Sequence, residues 1–576
     1  MSVFSPFLSP AGVFRPGGVF PDAFLDGNAV QAIVAVAPRF WGFATPRDEL
    51  NDAYPGLSTE LTAKAAMGAG IERFDFRPSQ LWNGSSYDWT TQDAIVAAVR
   101  AQGIKIIGVL NGTGTYVGNL DTPEERTFYA GFAAACALRY GSDVFAWEVC
   151  NEPNLASTAI APADYVAALN LSYPAIKAVA PAALVGIGGL ASIQSDGSGH
   201  YGAAGYLTSI YTGAPNSFDF IAFHAYTDSA TIGWRTNDGD AWHSRYILKT
   251  GLYGVQDTFG DTKRQFWVTE TGMPTGAASS PPTEWWQEKW LRDIHDDLIG
   301  DRRIACLLWY SYINRQAEST ANGPQDFYGL VKANGDQKRA YPVYQDRASV
   351  FVDSTPDFVV SQAASGSVAI PIWRWFQSPT DPRGADLTIT STTLPTGVTL
   401  SGGVLTIDQA TVAKQASTAI TFTASRTGSD PVTVAATLTV KAANLLTNGD
   451  YGLSNVITDW TAYTNGTVTY DGTNRHIVLG ISGSGGGAHI DKTLAQTGVN
   501  YELIVRFVAG TYTVGGALNT FMDGVAGSPS TITPSKSWQV ATIVGNASIA
   551  AFVAALRRNG TTGGSNFIAS AILRMQ

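Results

Sequence analysis

Eight short apolar runs alternate with helix-patterned segments between residues 38 and 351. That alternation constrains the fold more than any other feature, because it implies a parallel sheet covered by helices. The runs are Phe40–Phe43, Ile71–Phe76, Ile104–Leu110, Val144–Cys150, Leu184–Gly188, Phe218–Phe223, Phe266–Thr269 and Ile304–Trp309. Between them, Thr91–Gln102 carries apolar positions at Ile95, Val96 and Val99 and a stop at Gly103. Thr127–Tyr140 and Pro162–Ala180 are two further predicted helices. Eight such repeats in about 300 residues predict a (β/α)8 barrel. An open doubly wound sheet is the competitor, and it calls for a glycine-rich phosphate loop after the first strand. The residues there are Ala44-Thr45-Pro46-Arg47, which form no such loop.

Two of the runs end in a carboxylate. Phe145-Ala146-Trp147-Glu148-Val149-Cys150-Asn151-Glu152-Pro153-Asn154 delivers Glu152 after the fourth strand, and Phe266-Trp267-Val268-Thr269-Glu270-Thr271-Gly272 delivers Glu270 after the seventh. A lone glutamate at a strand end is ordinarily a solvated side chain. Here two share one context, and in a closed barrel all C-terminal strand ends meet at one mouth. Breaking a glycosidic bond requires a proton for the leaving oxygen and stabilisation of a cationic sugar centre. One carboxylic acid and one carboxylate supply both. The expected roles are general acid/base for Glu152 and nucleophile for Glu270.

Trp147-Glu148-Val149-Cys150-Asn151-Glu152-Pro153 resembles the acid/base motif of clan A of the glycoside hydrolases, and Thr269-Glu270-Thr271-Gly272 resembles its nucleophile motif. His224-Ala225-Tyr226 is similar to the clan's His-x-Tyr, and Arg73 and Trp309 fall at clan positions. Among members, family 39 is most similar and family 5-like enzymes come next. The resemblance spans about residues 38–351 and implies a retaining double displacement with carboxyl groups about 5–5.5 Å apart. It further implies that Asn151 bonds the sugar 2-hydroxyl and that Tyr226 orients Glu270. Arg73 would lower the Glu270 pKa, His224 would join the substrate site, and Trp309 would form the floor under the sugar. Cys150 departs from the pattern, since the clan often places an aromatic residue there. No histidine ends the third strand, where the chain reads Asn111-Gly112-Thr113-Gly114-Thr115-Tyr116.

Aromatic faces stack on sugar rings. Trp82, Trp89, Trp234, Trp242, Trp285 and Trp286 lie in loops or at helix starts after strands, and Trp82 and Trp234 are the expected cleft residues. His200, His243 and His295 are read as surface or packing residues. Cys136, Cys150 and Cys306 form no CxxC and no Cys/His cluster, so they are read as buried thiols. No metal and no cofactor are expected. The net charge of −10 is spread out, without a Lys/Arg run, which argues against a nucleic-acid partner. No apolar run is long enough for a membrane span.

After 351 the composition shifts to Val, Thr, Ser, Ala and Gly in short alternating runs. Residues 352–444 are expected to form an immunoglobulin-like β-sandwich, and 445–576 a jelly roll that is a candidate carbohydrate-binding domain. Leu394-Pro395-Thr396-Gly397-Val398-Thr399-Leu400 resembles a turn-and-strand of bacterial immunoglobulin-like modules. Residues 1–37 read as an irregular arm, with the repeat Ser9-Pro10-Ala11-Gly12-Val13-Phe14 and Arg15-Pro16-Gly17-Gly18-Val19-Phe20. Such an arm suits docking to a larger particle. Met1-Ser2-Val3-Phe4-Ser5-Pro6 lacks the pattern of a secretory signal. The expected function is a retaining hydrolase that cleaves a polysaccharide internally. A bacterial exopolysaccharide is the expected substrate and a phage-borne depolymerase, extracellular or virion-associated, the expected setting. A carbohydrate-binding or adhesion protein with an inactive barrel, or a transglycosylase, are the alternatives.

Overall fold

The structure is a computed structural model. It describes residues 34–35, 41–46, 57–112, 116–195, 197–226, 234–235, 240–241, 243–276, 283–316, 324–349, 357–362, 366–378, 381–392, 394–413, 415–427 and 429–441, and the backbone of strands between 460 and 575. The expected arm at 1–37 lies outside the described residues, apart from Val34–Ala35, which pairs with Phe376–Gln377.

Eight parallel strands close into a barrel: β1 (Trp41–Ala44), β2 (Ile71–Phe76), β3 (Lys105–Leu110), β4 (Val144–Asn151), β5 (Leu184–Ala191), β6 (Ile221–Ala225), β7 (Phe266–Thr271) and β8 (Ile304–Trp309). The ring closes where Trp41, Gly42 and Phe43 of β1 pair with Leu307, Leu308 and Trp309 of β8. The expected strands match closely except the sixth. It starts at Ile221, three residues later than the apolar run begins, and it carries His224 within it.

Helices 90–101, 123–140 and 162–179 lie close to the predicted segments. The helix Pro123–Tyr140 starts four residues before the predicted segment, because Pro123 takes its first position and Thr122 and Glu125 form a reciprocal capping box. In β2 the alternation sends Phe74 and Phe76 toward the helices and Ile71 and Arg73 into the barrel. The lower barrel is filled by Ile71, Ile107, Ala146, Ala222, Cys306 and Leu308 and by the stacked rings of Phe220 and Trp267, 4.0 Å apart. This plug makes the barrel a packed core, so polar side chains collect only above it, at the C-terminal ends of the strands.

Beyond the barrel the described strands form sheets of four, three, five and six strands. Most pairings are antiparallel, as expected. One is not: Asp357–Ser361 runs parallel to Thr437–Lys441. The first of these units packs on the barrel end opposite the mouth. Buried Arg374 donates to the carbonyls of Ile299 and Ile304, at 2.6 and 3.0 Å, just before and at the start of β8. Arg302 donates to the carbonyls of Arg383 and Gly402, each at 2.7 Å. No helix among the described residues is long and apolar enough to cross a membrane.

Candidate active site

Arg73, in the middle of β2, organises the mouth. It is buried, and a buried guanidinium must be matched by acceptors. Its Nε and Nη2 donate to Glu148 Oε2 at 3.0 and 2.8 Å, Nη1 donates to Glu270 Oε1 at 2.6 Å, and Nη2 also reaches Asn151 Oδ1 at 2.7 Å. Burial opposes the charge, but the carboxylates of Glu148 and Glu270 outweigh it and raise the Arg73 pKa. One guanidinium therefore ties together β2, β4 and β7.

Glu148 was not anticipated. It sits inside the barrel, fully buried, directly beneath the site. Its signal in the sequence was a charge in the middle of an otherwise apolar strand, Phe145-Ala146-Trp147-Glu148-Val149.

Glu152 follows β4 in an unusual backbone. Cys150 and Glu152 both have positive φ, at 70° and 45°, conformations rare for residues other than glycine. Neighbours hold the turn in place. The Glu152 N–H donates to the Gly189 carbonyl at 3.1 Å. Its own carbonyl accepts from Leu155 N–H at 3.0 Å and from the Thr158 hydroxyl at 2.6 Å. Buried Asn154 clamps the loop to β5 by accepting from Ala191 N–H at 2.9 Å and donating to the carbonyls of Ala191 and Tyr201 at 3.0 and 3.1 Å. Tyr129 donates to the Leu110 carbonyl and accepts from Cys150 N–H, at 2.6 and 3.0 Å, so it supports the position where an aromatic residue was expected.

His224 and Tyr226 come from the end of β6. His224 Nδ1 lies 2.8 Å from Glu152 Oε1 and 3.6 Å from Glu270 Oε2. Its Nε2 is buried without a partner among the described residues. An unpaired acceptor is tolerated better than an unpaired N–H, so the favoured neutral tautomer has its proton on Nδ1, donating to Glu152. The ring fits because residue 189 is glycine: a Cβ there would stand 2.1 Å from His224 Nε2. The Tyr226 hydroxyl donates to Glu270 Oε2 at 2.8 Å. Burial, then the neighbouring Glu270 charge, raises the Tyr226 pKa and keeps it a donor.

Burial pushes Glu270 up. The positive end of the His224 N–H, the Arg73 charge and the hydrogen bonds from Tyr226 and Arg73 outweigh it, and hold Glu270 below its ordinary value. Glu152 and Glu270 keep 18% and 15% of their side-chain surface exposed, so both reach the solvent in the mouth. One oxygen of each, with a nitrogen of His224, lies within a cluster no more than 4.8 Å across.

These three side chains are also the described group that could hold a metal ion. Their donors are already used, since Glu270 is bonded by Arg73 and Tyr226 and His224 faces Glu152. The Arg73 guanidinium, 2.6 Å from Glu270, supplies the positive charge that a cation would bring.

Two expected site residues are elsewhere. Trp309 is fully buried in the outer core, where its indole N–H donates to the Tyr328 carbonyl at 3.2 Å. The alternation along β8 explains the correction: Leu308 and Tyr310 join the inner cluster, so Trp309 between them faces the helices. The aromatic residue at the mouth is Tyr310, packed edge-on to Tyr226 and Tyr328 at 6.4 and 5.5 Å. Gly272 makes room for that trio, because a Cβ there would stand 2.8 Å from the Tyr328 ring. Trp234 is also fully buried. It packs on Trp290 at 5.6 Å and donates to Asp297 at 3.0 Å, so it belongs to the core beside the helix Glu284–Leu298 and not to a cleft. Trp82 remains half-exposed in the loop after β2, whereas Trp242 lies outside the described residues.

Of the other histidines, His295 is stacked on Trp41 at 5.3 Å, His243 is buried, and His200 accepts from Ala156 N–H at 3.0 Å. Cys136, Cys150 and Cys306 are buried free thiols.

Residues 80–314 match the family model Cellulase (glycosyl hydrolase family 5), a stretch that contains both Glu152 and Glu270. The barrel is thus a glycoside hydrolase barrel of clan A, with family 5, the second expectation, as the family whose model matches. Among solved structures, a family 39 glycoside hydrolase from Bacteroides cellulosilyticus WH2 is similar at 19% identity, over 65% of this chain and 80% of that one, with a TM-score of 0.44. A family 5, subfamily 18 protein from Streptomyces cattleya in complex with GlcNAc is similar at 17% identity, over 57% and 86%, with a TM-score of 0.45. A family 39 β-xylosidase from Caulobacter crescentus is similar at 18% identity, over 55% and 72%, with a TM-score of 0.40. No curated protein matches the chain.

Proposed function

We propose that this chain, a glycoside hydrolase with a clan A barrel, cleaves a polysaccharide by double displacement at Glu152 and Glu270. The observation that carries this reading is the pair of partly exposed carboxylates with oxygens no more than 4.8 Å apart, one of them held ionised. That spacing leaves no room for a water between Glu270 and the sugar, and it suits direct attack by that carboxylate.

In the first step Glu270 attacks the anomeric carbon. Arg73 and Tyr226 keep it charged and fix its oxygens. Glu152 gives its proton to the leaving oxygen. His224 donates to Oε1, so the proton to be transferred sits on Oε2. The C–O bond to the leaving group breaks as the bond to Glu270 forms. In the second step Glu152 takes a proton from water, the water oxygen attacks the anomeric carbon, and Glu270 leaves as a carboxylate. Asn151, with its Oδ1 held by Arg73, offers its amide N–H to the sugar 2-hydroxyl.

The finer reading is an endo-acting enzyme on a bacterial exopolysaccharide. The further β-units favour a long chain over a small glycoside. We read residues 352–444 as immunoglobulin-like and 445–576 as a jelly roll that binds glycan. The Phe/Pro/Gly-rich arm at 1–37 suits docking to a virion, which makes a phage-borne depolymerase the setting of this reading.

The test is polymer cleavage by Glu270→Ala, with product masses read across a panel of bacterial exopolysaccharides. Loss of cleavage supports the assignment, and unchanged cleavage rejects it.

A further inference from the structure

Beyond the proposed catalytic carboxylates, a loop on the same C-terminal side of the barrel carries an exposed ring with an unusual backbone. Tyr116, in the loop after β3, is 44% exposed and has φ of 80°. A bulky residue in the left-handed region is strained, and such strain persists only where the surroundings impose it. Apolar burial compensates only in part here, because 44% of the residue stays exposed.

The ring does have a foundation. Phe128 lies 6.1 Å from it, Trp82 lies 5.9 Å from Phe128, and Tyr87 lies 4.8 Å from Trp82. The row runs inward to Trp89, partly buried against the core, and to Tyr140 within it. The Tyr116 hydroxyl end lies over the turn after β2: a Cβ on Gly84 would be 3.9 Å from it. That turn exposes the polar side chains of Asn83, Ser85 and Ser86. The loop reaches this point from the strand beside the one that delivers Glu152.

An aromatic face held rigidly from below, with hydroxyl and amide groups beside it, is the chemistry that recognises a sugar ring. A rigid ring also costs little conformational entropy when it binds.

We infer that Tyr116, backed by Phe128 and Trp82, is a subsite for a sugar ring of the polymer outside the cleaved linkage, on the acid/base side of the mouth. This rests on the polysaccharide reading above. The subsite makes the enzyme prefer chains over short glycosides, and the strained backbone at Tyr116 is retained for binding.

The test uses the full chain. KM and kcat are measured for Tyr116→Ala, Tyr116→Trp and Tyr116→Gly on p-nitrophenyl glycosides and on hydroxyethylcellulose, galactomannan, xylan and succinoglycan. Binding is read separately by affinity electrophoresis of Glu270→Gln, with and without Tyr116→Ala, in gels containing each polymer. We expect KM for the polymer to rise about 3- to 10-fold in Tyr116→Ala and Tyr116→Gly, the range of one aromatic contact. The aryl glycoside constants and polymer kcat should not change, and Tyr116→Trp should restore KM. Tyr116→Gly should melt no lower than the parent, because glycine relieves the positive φ. Equal retardation with and without Tyr116→Ala, no retardation by any polymer, or parallel losses on short and long substrates would overturn the subsite. A failure of the hydrolase reading looks different: Glu270→Ala would keep full activity, whatever the gels show.

Discussion

Glu152 and Glu270, delivered by strands on different sides of the barrel, share His224 between them: its Nδ1 is 2.8 Å from one carboxylate and 3.6 Å from the other. Their surroundings differ. Glu270 has a guanidinium on one oxygen and a phenol on the other, whereas among the described residues the Glu152 carboxylate is bonded by the imidazole alone. Two carboxyl groups given different environments take different roles.

The acid is tested by Glu152→Gln. Steady-state kinetics should show a fall of about 10²- to 10⁴-fold on natural linkages. Aryl glycosides with strongly acidic leaving groups need little proton donation, so their first step should be nearly unaffected. Equal losses on both substrates would assign Glu152 another role.

The pH profile tests the partners of Glu270. Its folded-state pKa is depressed, so the charged nucleophile is present above that value and is lost as pH falls through it. Tyr226→Phe removes a donor to the charged form and therefore raises the pKa. The acid limb of kcat/KM should move to higher pH, with the basic limb in place. The same depression contributes stability above the ordinary carboxylate pKa that is lost on acidification. The melting temperature of Tyr226→Phe should accordingly depend less on pH in the acid range.

Gly189→Ala tests the seat of His224. The new methyl would stand 2.1 Å from Nε2, so the imidazole must move and the bond to Glu152 lengthens. The expected result is a loss of about 1–3 kcal/mol of stability, with a fall in kcat and little change in KM.

Trp309 and Trp234 test the corrected aromatic assignments. Both are core side chains, so alanine at either should cost about 3–5 kcal/mol in denaturant unfolding. KM of the folded fraction should stay constant. A KM effect without a stability loss would return them to the sugar site.

The barrel was legible because strand and helix periods alternate with little ambiguity, and each proposed catalytic glutamate sits where an apolar run stops. Arg73, Asn151, His224 and Tyr226 were found by motif, and the structure brings them together. Trp309 was misplaced by one residue: inside or outside the barrel is a matter of parity, and the register shifts between β7 and β8 blur that parity in the sequence. Trp234 illustrates a second limit, since an aromatic residue in a loop after a strand can fold back on the helices. Nothing in the sequence marks the positive φ of Cys150 and Glu152. Neither is glycine, and the contacts that impose the turn come from the neighbouring strand β5 and from Asn154, which clamps the loop to it. Glu148 was visible as a charge in an apolar strand, but its partner Arg73 lies 75 residues away.

The central claim is direct attack by Glu270, and the anomeric configuration of the product tests it most directly. Proton NMR of the first-formed reducing end, recorded before mutarotation, should show the same anomer as the linkage that was cleaved. An inverted anomer would mean that water attacks in a single step, and would contradict the assignment of Glu270 as nucleophile.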